Sequence, residues 1–202
     1  MSSTPLTSYE EYRTVRLPWL QRVPAHWHVL RCKELFSPID IRSSTGEEEK
    51  LTVSSERGVV PRRDTTVTMF QAASYVGHKL CWPGDLVINS LWAWAGGLGF
   101  SHSHGIVSSA YGVYRLRRQY ADASNYFDFL LRSDPFQWEL QTRSKGVWTS
   151  RLQLTDASFF DAPVVVPPHD EMLTIAKYLT SQLNRIARLI RNKRRLIALL
   201  NE

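Results

Sequence analysis

The chain has 202 residues, with 25 Lys and Arg against 19 Asp and Glu, 43% hydrophobic and 22% charged residues. These values exclude a disordered or collagen-like chain and fit one domain, or one domain with an appended element. No apolar run approaches the ~18 residues of a membrane span, and the start lacks a signal-peptide pattern, so a soluble cytoplasmic protein is expected.

Residues 1–14 are polar and read as a loosely held tail. LPWLQRVPAHW (Leu17 to Trp27) follows, too rigid and apolar for a linker. His28 to Phe36 predicts a short amphipathic helix ending before Pro38, and Glu47 to Lys50 a solvated loop. Leu51 to Val60 predicts a strand bounded by Pro61. Pro83-Gly84 is a turn signal before the apolar run Asp85 to Leu91, and Ile106 to Leu116 is a second strand rich in β-branched and aromatic residues. Between them, Gly96, Gly97 and Gly99 permit close backbone approach. Asn125 to Arg132 predicts a helix, Asp134-Pro135 opens another, and Asp161 to Val166 is a last short strand.

From Pro168 the pattern changes. Asp170 is the expected N-cap, and Glu171 suits the positive end of a helix. Apolar residues then recur in alternating steps of four and three: Met172, Ala176, Leu179, Leu183, Ile186, Ile190, Lys193, Ile197 and Leu200, with Lys193 the one charged member. Ile175, Leu189 and Leu196 widen the stripe. A helix from 170 to 202 would run roughly 50 Å at ~1.5 Å per residue. One domain cannot cover such a rod, so a partner helix is expected. This segment also holds the excess charge. From Met172 to Asn201 there are seven basic residues and no acidic one; removing them from the chain's +6 leaves the rest at −1. A basic segment suits phosphates or an acidic protein partner.

The motifs of chemistry are weak. AGGLGF (Ala95 to Phe100) lacks G-x-G-x-x-G spacing and a following helix. Asp134-Pro135-Phe136 lacks the second proline of an amino-methyltransferase loop, and Asp40, Glu48 and Lys50 match a metal nuclease only loosely. His102 and His104 are a poor metal pair without a carboxylate or thiolate nearby, and Cys32 and Cys81 form no Cys-x-x-Cys clip. No catalytic residue and no metal ligand is therefore assigned. Three clusters suit nucleic acid better. Arg57, Arg62 and Arg63 precede Thr65, Thr66 and Thr68; Asn89 and Ser90 precede Trp92 and Trp94; Arg143, Ser144 and Lys145 precede Trp148 and Arg151. Arg reads guanine bidentately, Asn reads adenine, and Ser, Thr and Lys hold phosphates.

Four segments together resemble the specificity (S) subunit of type I restriction–modification systems. WLQRVPAHWHVLRCKELF (Trp19 to Phe36) is similar to the family's opening W-L-x-x-[IV]-P-x-x-W…L-F. GDLVINSLWAWAGGLGFS (Gly84 to Ser101) and GIVSSAYGVYR (Gly105 to Arg115) are the most specific, and VVVPPHDEMLTIAKYL (Val164 to Leu179) leads into the basic heptad helix. Departures are Gln21 for a frequent Gly, Ser109 for Pro and Met172 for Gln. The resemblance implies a mixed α/β (α+β) target-recognition domain at about 15–166, then a long C-terminal coiled-coil helix at 168–202.

It further implies a non-catalytic subunit that reads half of a bipartite duplex DNA site. No cofactor is expected in this chain; S-adenosylmethionine belongs to a partner methylation subunit that modifies adenine N6, and a restriction subunit can join. A full S subunit carries two recognition domains, whereas this chain carries one, as a natural half-subunit or a truncated piece. A half-subunit is expected to dimerise through Met172, Leu179, Leu183, Ile186, Ile190, Lys193, Ile197 and Leu200, giving an interrupted palindrome. DNA contacts are expected from Arg57, Arg62, Arg63, Asn89, Trp92, Arg143 and Lys145. The competing readings are a coiled-coil interaction or regulatory protein without direct DNA readout, and a small free-standing nuclease.

Overall fold

The computed structural model describes residues 8–65, 72–146 and 152–200. Its centre is a four-stranded antiparallel sheet in the order β4 (Phe36–Pro38), β11 (Tyr111–Leu116), β8 (Asp85–Asn89), β9 (Leu98–Phe100). Strand β8 is buried along four of its five residues, so both faces must be covered. Leu86 and Ile88 face a core built from α2 (Ser124–Leu131), α3 (Asp134–Arg143), α4 (Asp156–Phe160) and the root of α5 (His169–Leu200). Val87 faces a smaller core with Leu51, Val59, Cys81, Val107, Tyr111 and Val113.

Four flanking pairs accompany this sheet. The hairpin of β5 (Leu51–Ser54) and β6 (Gly58–Pro61) and the pair β7 (Lys79–Cys81) with β10 (Gly105–Val107) close the smaller core. Strand β3 (His28–Arg31) pairs with β12 (Pro163–Val166), and β1 (Tyr12–Leu17) with β2 (Leu20–Pro24).

Strand pairing begins at Tyr12, inside the segment expected to be a tail. His28 to Phe36 is not one helix: β3 is drawn into pairing with β12, and only the single turn α1 (Cys32–Leu35) is helical before β4. Tertiary pairing overrides a short apolar periodicity. Leu51 to Val60 is a hairpin that turns through Ser55, Glu56 and Arg57 into Gly58 at φ +70°. Ile106 to Leu116 splits into β10 and β11, because Tyr111 N–H donates to the Ser108 carbonyl across a turn. The chain thereby passes from the flanking pair into the central sheet. Asp170 is the second residue of α5 rather than its cap; the Met172 N–H donates to the Pro168 carbonyl.

Helix α5 spans 32 residues, roughly 48 Å at ~1.5 Å per residue. Only its root is covered: Met172, expected in the dimer seam, is instead buried with Ala176 against the main core, and every residue from Arg188 to Leu200 is exposed. Glu171 ties this root to the N-terminal segment. Its Oε2 accepts from Trp27 Nε1–H and from Tyr9 O–H, both at 3.0 Å, while Oε1 lies 2.6 Å from His26 Nε2. Burial raises the pKa of Glu171, and the hydrogen bonds from His26, Trp27 and Tyr9 outweigh it and hold the carboxyl below its ordinary value. No described helix is long and apolar enough to cross a membrane.

Two predictions follow from this packing. A Cβ at Gly99 would lie 2.7 Å from Gly58 Cα and 3.2 Å from Val59 N, both backbone atoms that hold the hairpin on the sheet. Gly99→Ala is expected to cost about 1–3 kcal/mol in chemical denaturation; an unchanged midpoint would show that the hairpin does not pack there. For Glu171, a depressed folded pKa means stability that is present above the unfolded pKa and lost as pH falls through the folded one. Glu171→Gln should therefore lower stability by about 1 kcal/mol at neutral pH, with the gap to wild type closing as pH falls below the ordinary carboxylate range. A gap that persisted in acid would refute the charge-assisted role.

Candidate nucleic-acid interface

The register of β8 against β11 builds one wall of a cleft. On the face toward the hairpin, Asp85 pairs with Arg115, Val87 with Val113, and Asn89 with Tyr111. At the first position Asp85 is fully buried; Arg115 Nε and Nη2 donate to its two oxygens at 2.7 and 2.9 Å, and Trp82 N–H donates at 2.9 Å. The ion pair thus anchors one end of the face. At the other end Asn89 Nδ2 donates to the Tyr111 hydroxyl at 3.2 Å, and Asn89 Oδ1 accepts from Leu91 N–H at 3.3 Å.

Beyond Asn89 the chain makes a tight, well-bonded turn. Trp92 N–H donates to the Asn89 carbonyl, and the Trp92 carbonyl accepts from Ala95 and Gly97. A Cβ at Gly97 would lie 2.7 Å from that carbonyl oxygen, and Gly96 sits at φ +77°. These glycines serve the turn, and no helix begins there to receive a phosphate. The turn presents Trp92, 56% exposed, stacked on Trp94 at 5.8 Å with 20° between the rings. Trp94 Nε1–H donates to the Leu91 carbonyl, which fixes the pair.

The opposite wall is the tip of the β5–β6 hairpin. Arg132, the C-cap of α2, holds that tip by donating through Nη2 to the carbonyls of Ser55 and Glu56, at 3.0 and 2.6 Å. Arg57 is exposed on it and donates to the Asp64 carbonyl at 2.6 Å. The two walls enclose a cleft of about 670 Å³ lined by Arg57, Thr65, Asn89, Trp92 and Tyr111, among others.

The structure thus brings together Arg57, Thr65, Asn89 and Trp92, residues of two clusters that lie far apart in sequence. Arg62 and Arg63 follow on a 3-10 turn: Arg62 donates to the Tyr75 hydroxyl, beside Lys50 Nζ over the Tyr75 ring, and Arg63 pairs with Glu49 at 3.0 Å. Neither lines the cleft. Arg143 is committed elsewhere, donating to the buried Glu139 at 2.6 Å and lying 3.4 Å from Asp161. Lys145 is exposed and exchanges backbone hydrogen bonds with Gln153, next to Leu154, whose N–H reaches the Ser90 carbonyl. Thr66, Thr68, Trp148 and Arg151 lie outside the described residues. Tyr111 was not singled out by sequence; its role depends on a cross-strand register that a run such as GIVSSAYGVYR does not display.

The other candidates for chemistry are spent on structure. Asp40 pairs with Arg42 at 2.9 Å, Glu48 accepts from Ser43 O–H, and Lys50 covers Tyr75, so the three do not converge on an ion. Asp134 opens α3 and Phe136 is fully buried, so no catalytic loop forms there. His104 contacts the Cys81 carbonyl and lies over Trp82. Burial pushes the Cys81 thiol up to about 11 and raises Cys32 further. Among the described residues no group of three His, Cys, Asp or Glu is placed to hold a metal.

No protein-family model matches the sequence, and no curated protein matches it. Solved structures do match. The HsdS subunit from Thermoanaerobacter tengcongensis is similar at a TM-score of 0.61 and 17% identity, over 84% of this chain and 45% of that one. A structure described as underlying complex assembly and conformational transition of the type I R-M system matches at 0.60 and 20% identity, over 82% and 45%. The S subunit of the type I restriction–modification system from M. genitalium matches at 0.52 and 11%, over 84% and 43%. The chain spans less than half the length of each. Its fold is the mixed α/β domain with a long C-terminal helix found in type I specificity subunits.

Proposed function

We propose that this chain is a sequence-specific duplex DNA recognition subunit of a type I restriction–modification methyltransferase complex. The observation that carries the reading is the cleft, in which Arg57, Asn89 and Trp92 are gathered on a domain that is otherwise close to neutral. A near-neutral surface binds DNA weakly through charge alone, so a few fixed polar groups decide where it binds. The chain itself does no chemistry. Adenine-N6 methylation belongs to a separate subunit holding S-adenosylmethionine, and this chain positions it; a restriction subunit can join the same assembly.

Helix α5 supplies the second half of the reading. Leu183, Ile186, Ile190, Ile197 and Leu200 are 45% to 76% exposed, an apolar stripe too long for a helix facing water. Pairing with a second copy in antiparallel fashion buries that stripe and sets two clefts apart by a fixed distance. Two-fold symmetry then requires an interrupted palindrome. Lys193, the charged seam member, sets the register at some cost in stability.

The test is a methylome. Co-expressed with its methylation subunit in a methylation-free bacterial host, the chain is expected to direct N6-methyladenine to an interrupted palindrome. A motif absent despite a folded, bound partner would favour an interaction protein without DNA readout. Ile190→Glu with Ile197→Glu should give monomers in analytical ultracentrifugation, each change removing about 2 kcal/mol or more of seam burial, while the domain's melting temperature stays unchanged. Dimers surviving that pair of changes would refute the seam. Arg57→Ala should weaken duplex binding and lower the slope of log affinity against log salt by about one.

A further inference from the structure

Asn89 is half-buried at the end of β8, and two hydrogen bonds fix the orientation of its amide. A backbone N–H only donates, so the atom facing Leu91 N–H must be the carbonyl oxygen; the amide nitrogen then faces the Tyr111 hydroxyl. These two contacts use one of the amide's two N–H groups and one of the two lone pairs of Oδ1. Among the described residues no other hydrogen-bond partner is present for the Asn89 side chain. One N–H and one lone pair of a carboxamide held in one orientation are left, and the side chain lines the cleft beside Trp92.

Resting on the proposed function, we infer that Asn89 reads an adenine of the half-site through its major-groove edge. The N–H of Asn89 donates to adenine N7, and Oδ1 accepts from the N6 amine. This donor–acceptor pair is the complement of adenine there; guanine shows two acceptors, and cytosine and thymine lack the adjacent pair. Guanine presents a comparable donor and acceptor only in the minor groove, about 6 Å wide. Asn89 lines the cleft between the Trp92 turn and the hairpin tip, and the wider major groove suits elements standing on both sides of the reading group. Tyr111 is a positioning residue in this arrangement: its hydroxyl holds the amide in the reading orientation and touches no base.

The experiment uses the full chain bound to its methylation subunit and duplexes carrying the motif mapped for the wild type. Adenines are replaced singly, in both half-sites, by 7-deazaadenine, which removes the N7 acceptor and keeps Watson–Crick pairing. Binding is read by fluorescence anisotropy. At one adenine position the replacement is expected to weaken the wild-type complex within the roughly 5- to 150-fold range of a bidentate base contact, and to have no effect on Asn89→Ala. Asn89→Asp keeps an acceptor for Leu91 N–H but offers the base no donor, so its methylome should change at that position from adenine toward cytosine, whose N4 amine an acceptor reads.

A wild-type motif with no position sensitive to 7-deazaadenine would overturn the inference and leave the proposed function standing. So would an Asn89→Asp motif identical to the wild type. The absence of any motif removes the proposed function, and the inference with it.

Discussion

Asp85 is a carboxyl group with no exposed surface, and its burial is tolerable only because Arg115 meets both of its oxygens and Trp82 adds a backbone N–H. Those partners exist in one register of β8 against β11. A slip by one residue would turn Leu86 and Ile88 out of the helical core and strand the carboxyl group against apolar side chains. The same register sets Val87 against Val113 and ends on Asn89 against Tyr111. A constraint at the buried end of the strand therefore fixes the amide at the open end, about 13 Å away at ~3.3 Å per residue. The cleft depends on this pairing more than on the loops around it.

The hairpin wall depends on a second constraint. Gly99 and Gly58 allow the backbones of β9 and β6 to approach so closely that a methyl group on Gly99 would displace the hairpin. Arg132, bonded to Asp128 on its own helix, reaches across to the carbonyls of Ser55 and Glu56 and holds the hairpin turn. Arg57 thus stands on a turn whose backbone is held from α2, while its side chain is exposed. One wall carries a half-buried amide held by two hydrogen bonds, and the other an exposed cation. In the proposed function such a pairing would separate base reading from phosphate attraction.

Helix α5 was legible in the sequence because a heptad is a local pattern: its signal needs no knowledge of which strands meet. Strand β8 was legible for a similar reason, as an unbroken apolar run behind Pro83-Gly84. The hairpin and the break between β10 and β11 were not, since their turns use Ser, Glu and Ala, with Gly58 the one strong marker. The cleft was least legible of all. Arg57, Asn89 and Tyr111 are assembled by pairings between distant segments, and composition around each gives no hint of the others. Arg143 shows the converse limit, a basic residue in a polar cluster whose pairing with Glu139 and Asp161 is equally invisible in the sequence.

The root of α5 shows how the two legible parts are joined. Trp27, from the opening segment, and Glu171, from the helix start, belong to the two ends of the resemblance read in the sequence, and they meet in one hydrogen bond of 3.0 Å. Tyr9 and His26 converge on the same carboxylate. Met172 and Ala176 bury the first turns against the core, and the carboxylate fixes the helix about its axis through partners on a different segment. A spacer that separates two reading heads must be stiff where it leaves each head, because an angular error there grows with length. Along roughly 40 Å of helix that its own domain does not cover, a tilt of about 10° at the root moves the far end by about 7 Å, close to two base pairs at 3.4 Å rise. In the proposed function, discrimination of half-site spacing would therefore rest on the Glu171 node as much as on the length of the rod.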